Sequence, residues 1–423
     1  MSKDTLFTQQ KLQSITLLSS LLLCALNGAE TLTLAEAHQL ALLQNPSIEA
    51  IHSQHRAMSA RIDSADALPN PQVKVTYFGE SVETRTGPQQ AIYSIQQTVP
   101  WLTKLSTQKN IARIDAEIIL HAAQSVEQML LRDVSIHYAE ASYQEIALEL
   151  TDQSLQWIER AQEVAEENVR NGRPLNDVLQ FELELERTLD MRDQQQQRLE
   201  AERAELAALL GTTSDRLPLL AVLPEPRTEK LDSTELKRQL RHNNPELLAM
   251  KRSTASAAQA TELNRLKRYP DLTFGVNYIQ VGEGNSNFSD AGEDPWNVSI
   301  GIQIPLWEKA NRAHIRAAKA NQRASTANYR NRLLELTSAL SNAVSQHGDN
   351  LRRMQRYVNR LIPLAEQALE NTQFAYESDQ VDVLDVIQSE RILLDLQINY
   401  WRACADTAKA HAEIQALTTN ISK

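Results

Sequence analysis

The chain is poor in residues that interrupt regular structure, with 11 glycines and 14 prolines in 423 positions. A sandwich or barrel of many short strands needs turn signals about every ten residues, and most of this sequence has none. Aromatics make up only 5%, while Ala, Leu, Glu, Gln and Arg fill long tracts, a composition that favours long helices. There is no basic excess. A net charge of -11 argues against nucleic acid, which needs a clustered basic face, and suits cationic cargo or plain solubility equally well. Only two cysteines occur, Cys24 and Cys404, so no disulfide framework is available. No Cys-x-x-Cys, phosphate loop or nucleophile–base arrangement is present, so no enzyme and no cofactor is expected. His52 and His55 share a helix face but lack a third ligand, and the six methionines form no cluster; no metal site is expected from either.

Long apolar runs are scarce too. Beyond residue 30 nothing approaches the ~20 apolar residues of a membrane helix. The first 30 residues read as a secretory signal: Lys3 and Lys11, an apolar core from Ile15 to Leu26, and Asn27-Gly28-Ala29 as a cleavage region. Cys24 follows three leucines rather than the small residue a lipoprotein signal wants. Export is expected, with residues 1–29 removed.

What the chain does have is a duplication. Asn45-Pro46 is answered by Asn244-Pro245. Pro71 opens the alternating run Gln72 to Phe78, and Pro270 opens Asp271 to Ile279. Val99-Pro100-Trp101 closes a second run in the first half, and Ile304-Pro305-Leu306-Trp307 closes one in the second. The sequence therefore predicts two repeats, 30–211 and 233–418, joined by a proline-rich linker at 212–232 and ending in a short tail, 419–423. Each holds a helix (33–68, 233–268), a strand pair, a long helix (Leu102 to Arg170, Leu306 to Tyr376) and a return helix (174–210, 382–418). The turns fall at Val169 to Gln180 and at Tyr376 to Gln388.

The alternating runs carry the physics. Val73, Val75 and Tyr77 alternate with Lys74 and Thr76. Leu272, Phe274, Val276 and Tyr278 alternate with Thr273, Gly275 and Asn277, and Trp296, Val298, Ile300, Ile302 and Ile304 with Asn297, Ser299, Gly301 and Gln303. Period two with one apolar and one polar face marks strands between two different solvents. Runs of about nine residues fit either a transmembrane strand or a hairpin packed on a helical core. The helices weigh against the second. About 69 residues without Gly or Pro from Leu102 to Arg170 span ~100 Å, too long for a compact core. The other long helix predicts a kink at Pro363. Apolar positions seven apart predict lateral packing, through Ile387, Leu394, Trp401 and Ala408 and through Val178, Leu185, Leu199 and Leu206, with Arg192 interrupting the latter.

Four strands cannot close a barrel, and an open edge cannot face lipid. The chain must pool strands with copies of itself, eight in a dimer or twelve in a trimer. Trp101 and Trp307, just past the strand ends, suit a periplasmic membrane interface and equally a core. The fold class expected is mainly α with a small membrane β part: tandem long α-hairpins plus four strands per chain.

These features resemble the TolC family of outer-membrane efflux channels. The resemblance rests on Leu32 to Pro46, on the Leu68 to Pro71 segment, on the Asn171 to Gln180 turn and on Val381 to Asp385, in order and spacing over residues 32 to 417. Chain length and the Leu-Pro-Asn-Pro segment lean towards the CzcC-type heavy-metal branch. The resemblance implies a homotrimer with a twelve-stranded outer-membrane barrel and a helical periplasmic tunnel. It implies work with a periplasmic adaptor and an inner-membrane pump of the RND or another class, expelling metals, drugs or proteins. Asp382 and Asp385 would lie at the periplasmic constriction, although Asp in a first helical turn also suits the dipole. The tips, Asn171, Gly172, Arg173 and Pro174 with Ser378 and Asp379, would meet the adaptor or simply turn the chain. The segment after Tyr376 lacks the Gly or Arg that family members often carry there, so Arg170 or Arg173 would have to supply a basic latch. A poreless periplasmic coiled-coil scaffold and a protein-secretion channel are the competing readings.

Overall fold

The structure, a computed structural model, describes residues 31–170, 172, 175–221, 231–283, 292–378 and 380–419. The signal segment with Cys24, and Asn171, Arg173, Pro174 and Asp379, lie outside the described residues. The elements run α1 (Leu34–Gln44), α2 (Pro46–Ser64), β1 (Gln72–Thr84), β2 (Gly87–Val99), α3 (Leu102–Arg170), α4 (Asn176–Leu209), α5 (Ser233–Asn243), α6 (Pro245–Leu266), β3 (Asp271–Val281), β4 (Trp296–Gln303), α7 (Glu308–Arg356), α8 (Ile362–Glu377) and α9 (Val383–Thr418). The order helix pair, strand pair, long helix, return helix thus occurs twice.

The repeated Asn-Pro dipeptides have a local cause. Pro46 and Pro245 begin α2 and α6, where proline has no intrahelical N–H bond to lose. The preceding Asn caps the new helix: Asn45 Oδ1 accepts from Ser47 N–H at 2.9 Å, and Asn244 Oδ1 from Leu247 N–H at 3.1 Å. Instead of one helix over 33–68, the first repeat has two, broken at Asn45. Thr33 and Glu36 close a reciprocal capping box at the start of α1.

The chain divides into two compact units. One comprises the described parts of Met1–Ile48, Glu127–Leu240 and Thr337–Thr419; the other comprises Glu49–Val126 and Arg241–Leu336. The second unit holds an antiparallel sheet in the order β1-β2-β3-β4, in which β2 pairs with β3 across the two repeats. β1 and β2 each reach 13 residues, longer than the nine read from alternation. Their outer ends are polar and depart from strict period two, and a register shift falls between Tyr77 and Val82.

The first unit is helical. Near the turns a core of Ile158 and Ala165 (α3), Phe181 (α4), and Val383 and Ile387 (α9) forms, with Trp157, Val178, Leu185 and Tyr376 packed on it. Three residues of the two heptad series, Val178, Leu185 and Ile387, lie in this one cluster. Arg192, which interrupts the first series, reaches Asp152 of α3 at 2.6 Å. A charged pair there ties the two arms of the hairpin where a leucine would otherwise sit. The long helix of the second repeat does break, but ahead of Pro363. Residues Tyr357–Leu361 form a π-helical turn and Pro363 then sits in the first turn of α8. The wider turn places Pro363 where its missing N–H is harmless. Among the described residues no helix is long and apolar enough to cross a membrane.

Candidate functional site

Cross-strand partners share a face of the sheet, so the register defines two surfaces. One is apolar across all four strands: Val73–Ile95–Val276–Val298 form one row and Val75–Tyr93–Tyr278–Trp296 the next. Phe274–Ile300 and Leu272–Ile302 extend it towards the helices. All but the half-buried Leu272 are exposed, Trp296 to 71%. Among the described residues of the second unit nothing covers them, and a contiguous exposed apolar face of this kind marks contact with a partner or a membrane. The opposite face is polar: Gln72–Gln96–Gly275–Ser299 and Lys74–Ser94–Asn277–Asn297. Asn277 donates to Asn297 Oδ1 at 2.7 Å along the second of these rows. Both edge strands, β1 and β4, end the sheet without a partner.

At the base of the sheet Trp101 stacks on Tyr269, with ring centroids 5.5 Å apart and planes at 14°. Its backbone N–H donates to Asp271 Oδ1 at 3.1 Å, and Lys104 donates to the same oxygen at 2.7 Å. The strand end is thus fastened to the first turn of α3. Trp101 is 42% and Trp307 80% exposed, so neither is a core residue of this chain.

At the turns Asp382 is the N-cap of α9 but makes no side-chain cap bond. Asp382 and Asp385 are both exposed, with carboxylates turned to solvent. Gly172 follows α3 with φ +99°, a left-handed conformation that glycine takes at no steric cost. Ser378 caps α8 through its hydroxyl, which donates to Phe374 O at 2.9 Å. A contact that sequence reasoning missed joins the two repeats: Tyr376 Oη donates to Asp177 Oδ2 at 2.9 Å. Both residues lay inside the turn segments, yet no spacing rule links positions 199 apart. Arg170 closes α3 and Arg173 lies outside the described residues, so a basic latch is not defined by the structure.

Deeper in the first unit Glu140 of α3 is held by α9. Arg402 donates to both its oxygens at 2.7 Å, Lys409 also pairs with it, and the guanidinium lies 3.7 Å over the Tyr143 ring. Burial would raise the Glu140 carboxyl, but the hydrogen bonds from Arg402 and Lys409 outweigh it and bring it down to about 2. Higher along the bundle, Glu184 of α4 pairs with Arg391 of α9, and Ser154 donates to Glu390 at 2.9 Å. No group of three metal-binding side chains occurs among the described residues.

A four-stranded sheet with one apolar face, one polar face and two open edges has counterparts among known proteins. The family model for outer membrane efflux proteins matches residues 37–212 and 236–420. The chain belongs to this family. The efflux protein is 24% identical over 402 residues to the cobalt-zinc-cadmium resistance protein CzcC of Cupriavidus metallidurans, covering 92% of this chain and 90% of that one. Its fold matches the CusC structures, solved for folding and transmembrane channel formation, with a TM-score of 0.79 at 17% identity over 91% of this chain and 92% of that one. It also matches the outer membrane protein VceC of Vibrio cholerae, with a TM-score of 0.77 at 19% identity over 92% and 96%. The efflux protein therefore resides in the outer membrane, with a long periplasmic portion.

Proposed function

We propose that three copies of the chain close a twelve-stranded barrel and a helical tunnel, forming the outer-membrane channel of a tripartite efflux system. The sheet carries this reading. Its four strands have a lipid-type face, a water-type face and two unpaired edges, and only strands of further copies can satisfy those edges in lipid. The channel conducts passively to the exterior, driven by an inner-membrane pump of the RND or another class through a periplasmic adaptor. Similarity to a cobalt-zinc-cadmium resistance protein favours metal cations over other small toxic compounds as cargo. Asp382 and Asp385 of three copies would place six carboxylates around the periplasmic mouth, where they raise the local cation concentration. The turns holding Asn171, Gly172, Arg173, Pro174, Ser378 and Asp379 would take the adaptor, and Trp101 and Trp307 the periplasmic interface of the outer membrane.

The mature protein is expected to fractionate with outer membrane, to run as a trimer in mild detergent and to conduct ions in planar bilayers. A soluble, non-conducting monomer would favour the scaffold reading instead. Cysteines introduced at Gly172 or Ser378 should crosslink to an adaptor in cells that express one; repeated failure to capture it would remove the turns from that role.

A further inference from the structure

Over the rows that all four strands share, the polar face of the sheet carries a single charged side chain. Between the apolar rows Val73–Ile95–Val276–Val298 and Val75–Tyr93–Tyr278–Trp296 lies the row Lys74–Ser94–Asn277–Asn297. The adjoining polar rows are Gln72–Gln96–Gly275–Ser299 and Thr98–Thr273–Gly301. Asp271, at the base of β3, is engaged by Lys104. Lys74 is therefore the one charged side chain of these rows, no carboxylate stands in its own row, and it is exposed.

Its level and its strand matter. An ammonium on the lipid face at this depth would cost about 2–4 kcal/mol, so Lys74 fixes its face as the watered one. β1 is an edge strand, and its neighbour in a closed barrel is β4 of a second copy. The polar residues of β4 are Asn297, Ser299, Gly301 and Gln303. They include no acid, so the polar face of β4 itself offers Lys74 no counter-charge. Three copies put three lysines at one level, in a row whose other members are serine and asparagine.

We infer that Lys74 forms a cationic ring in the barrel lumen and determines charge selectivity there, favouring anionic or anion-complexed solutes over free cations. This rests on the trimeric channel proposed above. It is independent of the acidic residues at the periplasmic turns.

The test measures reversal potentials of full-length trimers in planar bilayers under a KCl gradient. Relative to the parent channel, Lys74→Gln should raise the cation-to-anion permeability ratio and Lys74→Glu should raise it further. For Lys74→Glu the rise should be at least about threefold, the change that a potential shift on the order of one kT produces. Lys74→Arg should leave the ratio unchanged. Conducting trimers with the same ratio for Lys74→Glu and the parent would overturn the inference and leave the channel reading standing; an absence of conductance in the parent would overturn both. Folding is checked separately by cysteine labelling. In intact trimers Lys74→Cys should react with a charged, membrane-impermeant thiol reagent and Val75→Cys should not. The opposite pattern would place Lys74 on the lipid side and sink the proposal.

Discussion

Single side chains do three kinds of work here, each separable by substitution. Glu140 is a structural ion. Its folded value of about 2 lies below the 4.5 of a free glutamate, so its contribution is present above pH 4.5 and disappears as the pH falls towards 2. The shift corresponds to about 3 kcal/mol, and Glu140→Gln leaves Arg402 and Lys409 with Asp406 alone, at 3.7 and 3.3 Å. Thermal unfolding should drop by several degrees near neutrality, and the gap between variant and parent should close on acidification below pH 4. A constant gap down to pH 2 would exclude the assignment. Tyr376 is a pin between the two turns. Removing a hydrogen bond worth about 1 kcal/mol with Tyr376→Phe should raise the open probability of the channel several-fold in bilayers while the melting temperature stays put. Asp382 and Asp385 are solvated charges with no capping duty. Replacing both with alanine should lower cation preference, and an unchanged reversal potential would remove them from the gate. The two aspartates were legible in the sequence because the turn signal is local. The Tyr376–Asp177 bond was not, because it depends on two helices arriving side by side.

At the scale of elements, the ends and breaks hold most of the information. α4 ends at Gly211 with φ +72°, and Thr212 N–H bonds back to Ala207 O at 2.9 Å, the bond that closes a helix with a left-handed residue. A Cβ at this position would lie 2.7 Å from the Gln44 carbonyl oxygen, and Asn45 donates to Leu209 O at 2.8 Å. The α1–α2 junction is thus seated on the end of α4. Gly211→Ala meets both the strained φ and the clash and should cost about 2 kcal/mol, read as a lower melting temperature with trimers intact. If Gly211→Ala matched the parent, the seat would be looser than the distances say. The break of the second long helix shows why the element scale resists sequence reading. Pro363 announces an interruption, but whether the chain kinks at the proline or widens one turn earlier is decided by what α9 packs against.

For the whole molecule, the register of the sheet decides function more than any side chain. Ile300 lies on the apolar face and Asn297, three residues before it on the same strand, on the polar face. Ile300→Arg should cost about 2–4 kcal/mol in lipid and reduce the outer-membrane fraction sharply, whereas Asn297→Arg should be inserted normally. Equal insertion of the two variants would refute the membrane orientation of the sheet. The same logic covers assembly: β1 and β4 each offer an unpaired ladder, so the folded protomer is an incomplete object and its stability in the membrane depends on its copies.

By itself the sequence determined the duplication, the two faces of the strands and the long helix from Leu102 to Arg170. These are set by periodicity and by residues that act on their near neighbours, such as the Asn-Pro caps. Only the tertiary structure decided which residues of the two repeats meet. It paired β2 with β3, brought Tyr376 to Asp177, and gave Glu140 to Arg402 and Lys409. Contacts of this kind join positions tens to hundreds apart, where no local propensity reaches and the geometry of packing alone selects the partner.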